Sequence, residues 1–181
     1  ASGCDEIWIG AESGSQKILD AMDKGTTIDQ IVSSTALMKK HGIKPCFFLQ
    51  FGYPGEEMAD IKKTIEMLAD CMPFDIGISI SYPLPGTVFY ERVRAELSAK
   101  QNWNDSDELL LMYHGTYAAG FYKNLHRYVH QYFRLLQGWM GMKQRLGLRG
   151  NYWHMSWRRI IATPYHAISA CFYRLRMQMS K

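Results

Sequence analysis

Residues Gly10-Ala11-Glu12-Ser13-Gly14-Ser15 come directly after the apolar run Ile7-Trp8-Ile9. A strand that ends in small and polar residues and then turns into a helix is the repeating element of a parallel α/β layer. The pattern recurs twice. Phe47-Phe48-Leu49 leads into Gly52-Tyr53-Pro54-Gly55-Glu56, and Ile76, Ile78 and Ile80 lead into Ser81-Tyr82-Pro83-Leu84-Pro85-Gly86-Thr87. Parallel strands need a crossover, and the segments between these runs carry helical periodicity. Three strand ends of this kind form the edge at which such folds hold ligands.

Working outward, strands are expected over 6–10, 44–51 and 75–81. A helix starts after Ser13 or Ser15, either of which can cap it, with Ile18, Leu19 and Met22 inward and Gly25 ending it. Thr27-Ile28-Asp29-Gln30 opens a second helix, running to about His41 with Ile31, Thr35 and Met38 inward. A third covers 56–70, with Ile61, Ile65 and Leu68 inward, and Pro73 breaks it. Glu56 reads as a helix-start carboxylate. A further helix is expected over 88–97.

From about residue 98 the pattern is entirely helical. Asn104-Asp105-Ser106-Asp107 signals a cap for a helix over 108–113. A long amphipathic helix is expected over 116–139, with Phe121, Leu125, Tyr128, Val129, Tyr132 and Leu136 at helical spacing. Gly138, Gly141, Gly147 and Gly150 loosen the next stretch of chain. The tail, 156–179, is basic, aromatic and helical, interrupted or kinked at Pro164.

Charge divides the chain at the same place. Residues 1–108 hold all 17 acids and 10 Lys+Arg, a net −7; residues 109–181 hold 11 Lys+Arg and no acid. An acid-free basic segment seeks phosphate, anionic lipid or an acidic protein surface. Packing of the tail on the acidic front part is the structural alternative. The four cysteines, Cys4, Cys46, Cys71 and Cys171, do not form a CxxC-type metal site. Cys46 and Cys71 read as small buried hydrophobes. No signal peptide or 18-residue apolar run is visible, so a cytoplasmic protein is expected, with peripheral contact to the inner face of an anionic membrane through the tail.

The motifs also carry a resemblance. Ile9 to Gln16, with Leu19, Met22 and Lys24-Gly25, looks like the fourth β/α unit of radical S-adenosylmethionine (SAM) enzymes. Phe51 to Glu56, with Asp60-Ile61 and Thr64, resembles their fifth. Ser81 to Thr87, with Phe89-Tyr90, resembles their sixth. The likeness covers residues 3–95 and is nearest to the cobalamin-binding branch; Trp103, Asp105-Ser106-Asp107, Gly115-Thr116-Tyr117 and Phe121 to His130 resemble that branch's C-terminal region. It implies an α/β fold: the C-terminal half of a partial (β/α)6 TIM-like barrel over 1–97, then an all-helical basic extension over 98–181.

The resemblance further implies SAM, a [4Fe–4S] cluster, an electron donor for that cluster and a cobalamin domain. The parent enzyme would cleave SAM reductively to a 5′-deoxyadenosyl radical, for methylation or cyclisation of an apolar, lipid-like or tetrapyrrole-like small molecule. The rivals are a methylthiotransferase-type enzyme acting on RNA or protein, and a non-catalytic adaptor binding membrane or nucleic acid. The family's CxxxCxxC is not in this sequence. Together with Ala1 in place of Met, this leads to the expectation that the chain is a fragment, inactive alone.

Glu12 is placed by the resemblance beside the SAM methionine or ribose, and this role is favoured over that of a helix-dipole carboxylate. Ser13 and Ser15 are caps or ligands. Lys24 either meets the SAM carboxylate or is a solvated helix-end lysine. Gln50 and Phe51 end a strand where a side chain packs on adenine, and Gly52 permits close backbone approach. Ser81 and Tyr82 line the adenine or the substrate cavity. No catalytic residue and no metal ligand is assigned. His126 and His130 read as structural or surface. RNA binding is not expected, since no RNA motif is visible.

Overall fold

The computed structural model describes residues 3–96, 113, 115–148 and 156–181. The capped helix expected over 108–113, apart from Tyr113 itself, lies outside the described residues, as do Trp103, Gly150 and Trp153.

Three strands, β1 (Glu6–Glu12), β2 (Lys44–Phe51) and β3 (Asp75–Ile80), form a parallel sheet in the order β1-β2-β3. Ile9 pairs with Phe47, and Phe47 with Ile76. The alternation of side chains gives the sheet two faces. Ala11, Phe47, Leu49, Phe51, Ile76 and Ile80 are buried. On the opposite face Trp8 (41% exposed) and Phe48 (50%) stand open, their ring centroids 4.7 Å apart. Gly77 lies beneath them: a Cβ there would be 3.0 Å from the Phe48 ring.

The connections are helical. α1 (Gln16–Ala21) and α2 (Ile28–Lys40) join β1 to β2, α3 (Met58–Cys71) joins β2 to β3, and α4 (Val88–Val93) comes after β3 and runs into a 3-10 turn, Arg94–Glu96. α2 begins as its sequence indicates. Thr27 accepts from the Gln30 N–H, and Gln30 caps the Thr27 N–H in return, a capping box.

Several boundaries differ from expectation, most by one to three residues. β1 runs two residues further, to Glu12. Helix α1 stops at Ala21 and not at Gly25, because Asp23 takes the left-handed conformation (φ 54°). The Lys24 N–H then donates to the Leu19 carbonyl at 3.0 Å and the Asp23 N–H to Asp20 at 3.0 Å, the two bonds of a Schellman stop. The long helix α5 (Ala119–Arg145) runs straight through Gly138 and Gly141. Gly138 is a point of contact, where a Cβ would lie 2.0 Å from Thr163 Oγ1.

α5 buries Phe121, Tyr122, Leu125, Val129 and Phe133 in the same apolar cluster as Phe47, Phe51, Ile61 and Ile80. Its far end is tied to β3. Gln137 donates to the Phe74 carbonyl at 2.9 Å, and Arg134 pairs with Asp75 at 3.0 Å. α6 (Trp157–Ile161) and α7 (Thr163–Met179) return along α5, with Thr163, Ala170 and Met177 buried. The break between them falls at Ala162, and Pro164 occupies the first turn of α7, where its missing N–H costs nothing.

Candidate functional site

The carboxyl end of β1 holds the most unusual backbone in the sheet. The register between β1 and β2 slips between Gly10 and Glu12. Glu12 itself has φ 54°, the left-handed region that a long side chain seldom enters. Such strain persists where the surroundings hold it, and it concentrates at ligand sites. Its effect here is to bring the carboxylate over Gly10 on the open face, where Glu12 Oε1 meets Lys24 Nζ at 2.8 Å. A Cβ on residue 10 would fall 2.6 Å from that oxygen and 2.8 Å from that nitrogen. The early stop of α1 at Asp23 is what delivers Lys24. Both groups keep access to solvent, the lysine at 36% and the glutamate at 18%.

Gln50, half-buried, is on this open face by alternation from Phe48. Glu12 and Lys24 are therefore brought together over Gly10, and Gln50 lies on the neighbouring strand one position past Leu49, the partner of Glu12. Tyr82, just past β3, is partly exposed.

The other sequence-predicted residues are placed differently. Phe51 is fully buried on the helix-covered face, because odd-numbered positions of β2 point there, so it packs in the core. Ser13 and Ser15 are fully buried between α1 and α3. Ser13 Oγ lies 3.2 Å from Thr64 Oγ1, and Ser15 Oγ donates to Asp60 Oδ1 at 2.6 Å. Ser15 stands at the N-cap position but makes no side-chain cap bond, since the buried Asp60 carboxylate claims its hydroxyl. Burial pushes the Asp60 carboxyl up, yet donors from Ser15, the Glu57 N–H and Lys17 outweigh it and hold the group below its ordinary value. Gly14 completes this seam. A Cβ there would sit 2.4 Å from the Lys63 carbonyl oxygen.

Glu56 departs furthest from its reading as a helix-start carboxylate. It is fully buried, and Oε2 accepts from the Gly52 N–H at 2.6 Å, which closes the Gly52–Glu56 turn. Burial pushes its carboxyl up to about 8. Among the described residues, its Oε1, Ser81 Oγ and Tyr122 Oη are buried with no hydrogen-bond partner. Tyr113 donates to the Gly52 carbonyl from the other side, and burial first, then Tyr122 and Glu56, push its hydroxyl far up. Gly52 and Ser81 thus belong to a buried brace under the loop. No sequence signal marked it, because Tyr113 and Tyr122 are more than fifty residues from Gly52 and Glu56 and more than thirty from Ser81. A cleft of about 350 Å3 beside it is lined by Pro54, Gly55, Arg92, Tyr113 and Thr116 among others, and by none of the predicted site residues.

His126 and His130 are half-buried one turn apart on α5, with ring centroids 4.6 Å apart. Burial pushes both imidazoles down, His130 to about 4 with help from His126 and Arg134. Among the described residues, no group of three or more His, Cys, Asp or Glu is arranged to hold a metal ion. Cys46 and Cys71 are buried and Cys4 and Cys171 exposed. Burial pushes the Cys46 thiol up to about 12, away from the thiolate that a metal requires.

The carboxyl edge of this parallel α/β layer thus carries a strained carboxylate and a lysine paired over a glycine. Residues 1–68 match the model of the radical SAM superfamily. An uncharacterized methyltransferase of Pyrococcus horikoshii is 31% identical over 103 residues, which are 56% of this chain and 22% of that protein. A tRNA-2-methylthio-N(6)-dimethylallyladenosine synthase of Cellvibrio japonicus is 39% identical over 84 residues, 45% of this chain and 18% of the synthase. A tRNA uridine(34) acetyltransferase of Methanocaldococcus jannaschii is 27% identical over 92 residues, 49% and 17% of the two chains. The chain spans about a fifth of the length of these curated relatives.

Proposed function

We propose that the protein carrying this chain is a radical SAM enzyme that transfers a methyl group, and that the open carboxyl edge of the sheet holds SAM. The observation that carries the reading is the strained Glu12 paired with Lys24 over Gly10, whose lack of a Cβ leaves the space that the two charged ends occupy. An amino-acid zwitterion complements that pair: its ammonium takes Glu12 and its carboxylate takes Lys24, so each charge keeps a partner when the pair opens. Gln50 supplies amide donors and acceptors beside them. When bound, SAM supplies the methyl group or the adenosyl fragment. The chain's own residues bind and orient it and exclude water.

The [4Fe–4S] cluster does not fit the residues of this chain. Its four cysteines lie apart, and the two in the core are held as thiols. Cluster ligation is therefore assigned to residues outside this sequence. The cobalamin branch is part of the same proposal, and the cobalamin content of the purified intact protein tests it.

Methylthio transfer to tRNA is the second reading, favoured by the relative from Cellvibrio japonicus. The helical character of residues 119–145 and 157–179 speaks for the first, since the methylthiotransferase type is expected to carry a small all-β domain after its barrel. Reduction of the intact protein with SAM should yield 5′-deoxyadenosine or S-adenosylhomocysteine. Recovery of unreacted SAM alone, from protein with its cluster loaded, would refute the proposal.

A further inference from the structure

The helix α7 has two apolar faces, and only one is covered. Thr163, Ala170 and Met177 face α5 and are buried. On the opposite side stand Ile161 at the end of α6 and then Tyr165, Ile168, Phe172, Leu175 and Met179, between 51% and 87% exposed. Their positions advance by alternating steps of four and three, which keeps the five on α7 on one stripe of that helix, with Ile161 of α6 just before it. Trp157, one turn before Ile161, is also exposed. A continuous exposed apolar stripe of this size marks an interaction surface.

Charge selects the occupant. Arg158, Arg174, Arg176 and Lys181 are exposed on the same helices and at their end, and Arg176 lies over the Phe172 ring, 5.6 Å from its centroid. Residues 109–181 contain 11 Lys+Arg and no Asp or Glu. Two copies joined along this stripe would bring like charges together with no carboxylate to separate them. An anionic lipid surface meets both needs, since acyl chains take the apolar stripe and headgroups take the cations. Among the described residues no helix is long and apolar enough to cross a membrane. The geometry is that of a helix lying flat, held from behind by α5.

We propose that the α6–α7 stripe, from Ile161 to Met179, docks the protein on an anionic membrane surface. The proposal is independent of the catalytic reading. It makes the tail an anchor of the protein on the bilayer.

The test is flotation of the intact protein with vesicles of phosphatidylcholine alone and of phosphatidylcholine with about a third phosphatidylglycerol. The protein should float with the anionic vesicles and stay behind with the neutral ones. Ile168→Ser with Leu175→Ser should weaken binding about tenfold or more, and Arg158→Gln with Arg176→Gln by a similar factor. All four side chains are exposed, so unchanged melting of the variants confirms their fold. Leu37→Ser, an exposed apolar change on α2, should bind as wild type. Three results would overturn the proposal: no flotation with anionic vesicles, a stripe variant that floats as wild type, or a lipid-free dimer abolished by the stripe variant.

Discussion

Glu56→Gln isolates what a buried carboxyl does to this fold. The group is fully buried and its carboxyl is pushed from an ordinary 4.5 up to about 8. Between those values the folded chain holds the proton while the unfolded chain has lost it. The stabilisation is therefore complete below the unfolded value and is lost as pH rises toward about 8. At about 1.4 kcal/mol per pH unit, the ceiling on that loss is on the order of 4–5 kcal/mol. Glutamine keeps an oxygen for the Gly52 N–H and does not titrate. At about pH 5 the acid and the amide should differ by about 1 kcal/mol or less. At about pH 8.5 the variant should be the more stable, with Tm higher by on the order of 10 °C. The difference between the two melting curves matters, and not either curve alone, because His130 titrates with the opposite sign: buried neutral, it costs stability as pH falls. Melting curves of variant and wild type that stay parallel across this range would refute the reasoning.

Gly14→Ala drives a methyl into the backbone of α3, 2.4 Å from the Lys63 carbonyl oxygen. It also threatens the 2.9 Å bond from the Gly14 N–H to Thr64. A cost of about 3 kcal/mol, or roughly 6–12 °C in Tm, is expected, and a loss under about 2 °C would contradict the close packing of α1 on α3. Ser15→Ala removes the 2.6 Å donor to Asp60 and should cost about 1.5–3 kcal/mol. The Asp60 carboxyl should then titrate at higher pH by NMR, and an unmoved titration would count against the bond. Gly138→Ala meets Thr163 Oγ1 at 2.0 Å and should loosen α7 from α5, seen as faster amide exchange over 163–179 with slow exchange kept in β2.

The sequence carried the strands and helices well because their signals are local. Apolar alternation in β3, the Thr27 cap and the glycine after α2 each act within a few residues. Glu12 and Lys24 were each singled out by the resemblance as contacts of SAM. Their meeting over Gly10 was not legible, because it depends on Asp23 taking a left-handed turn that Gly25 was expected to take. Ser13, Ser15 and Phe51 sat at strand ends, and position alone does not say which face of a sheet a side chain joins. Ser15 answers to Asp60, forty-five residues on. Glu56 was misread for the same reason, since the groups around it include Tyr113 and, on α5, Tyr122, which local pattern cannot bring near. Gly138 and Gly141 read as breakers, but tertiary packing against Thr163 overrides their low helix propensity.

The central claim is that Glu12 and Lys24, at the carboxyl edge of β1, hold SAM. The most direct test is isothermal titration of SAM into the intact protein and into its Glu12→Gln variant. Saturable binding by the wild type is predicted, with an affinity about tenfold lower in the variant, which loses one charge-assisted bond. Equal affinity in the two proteins, with both folded, would contradict it.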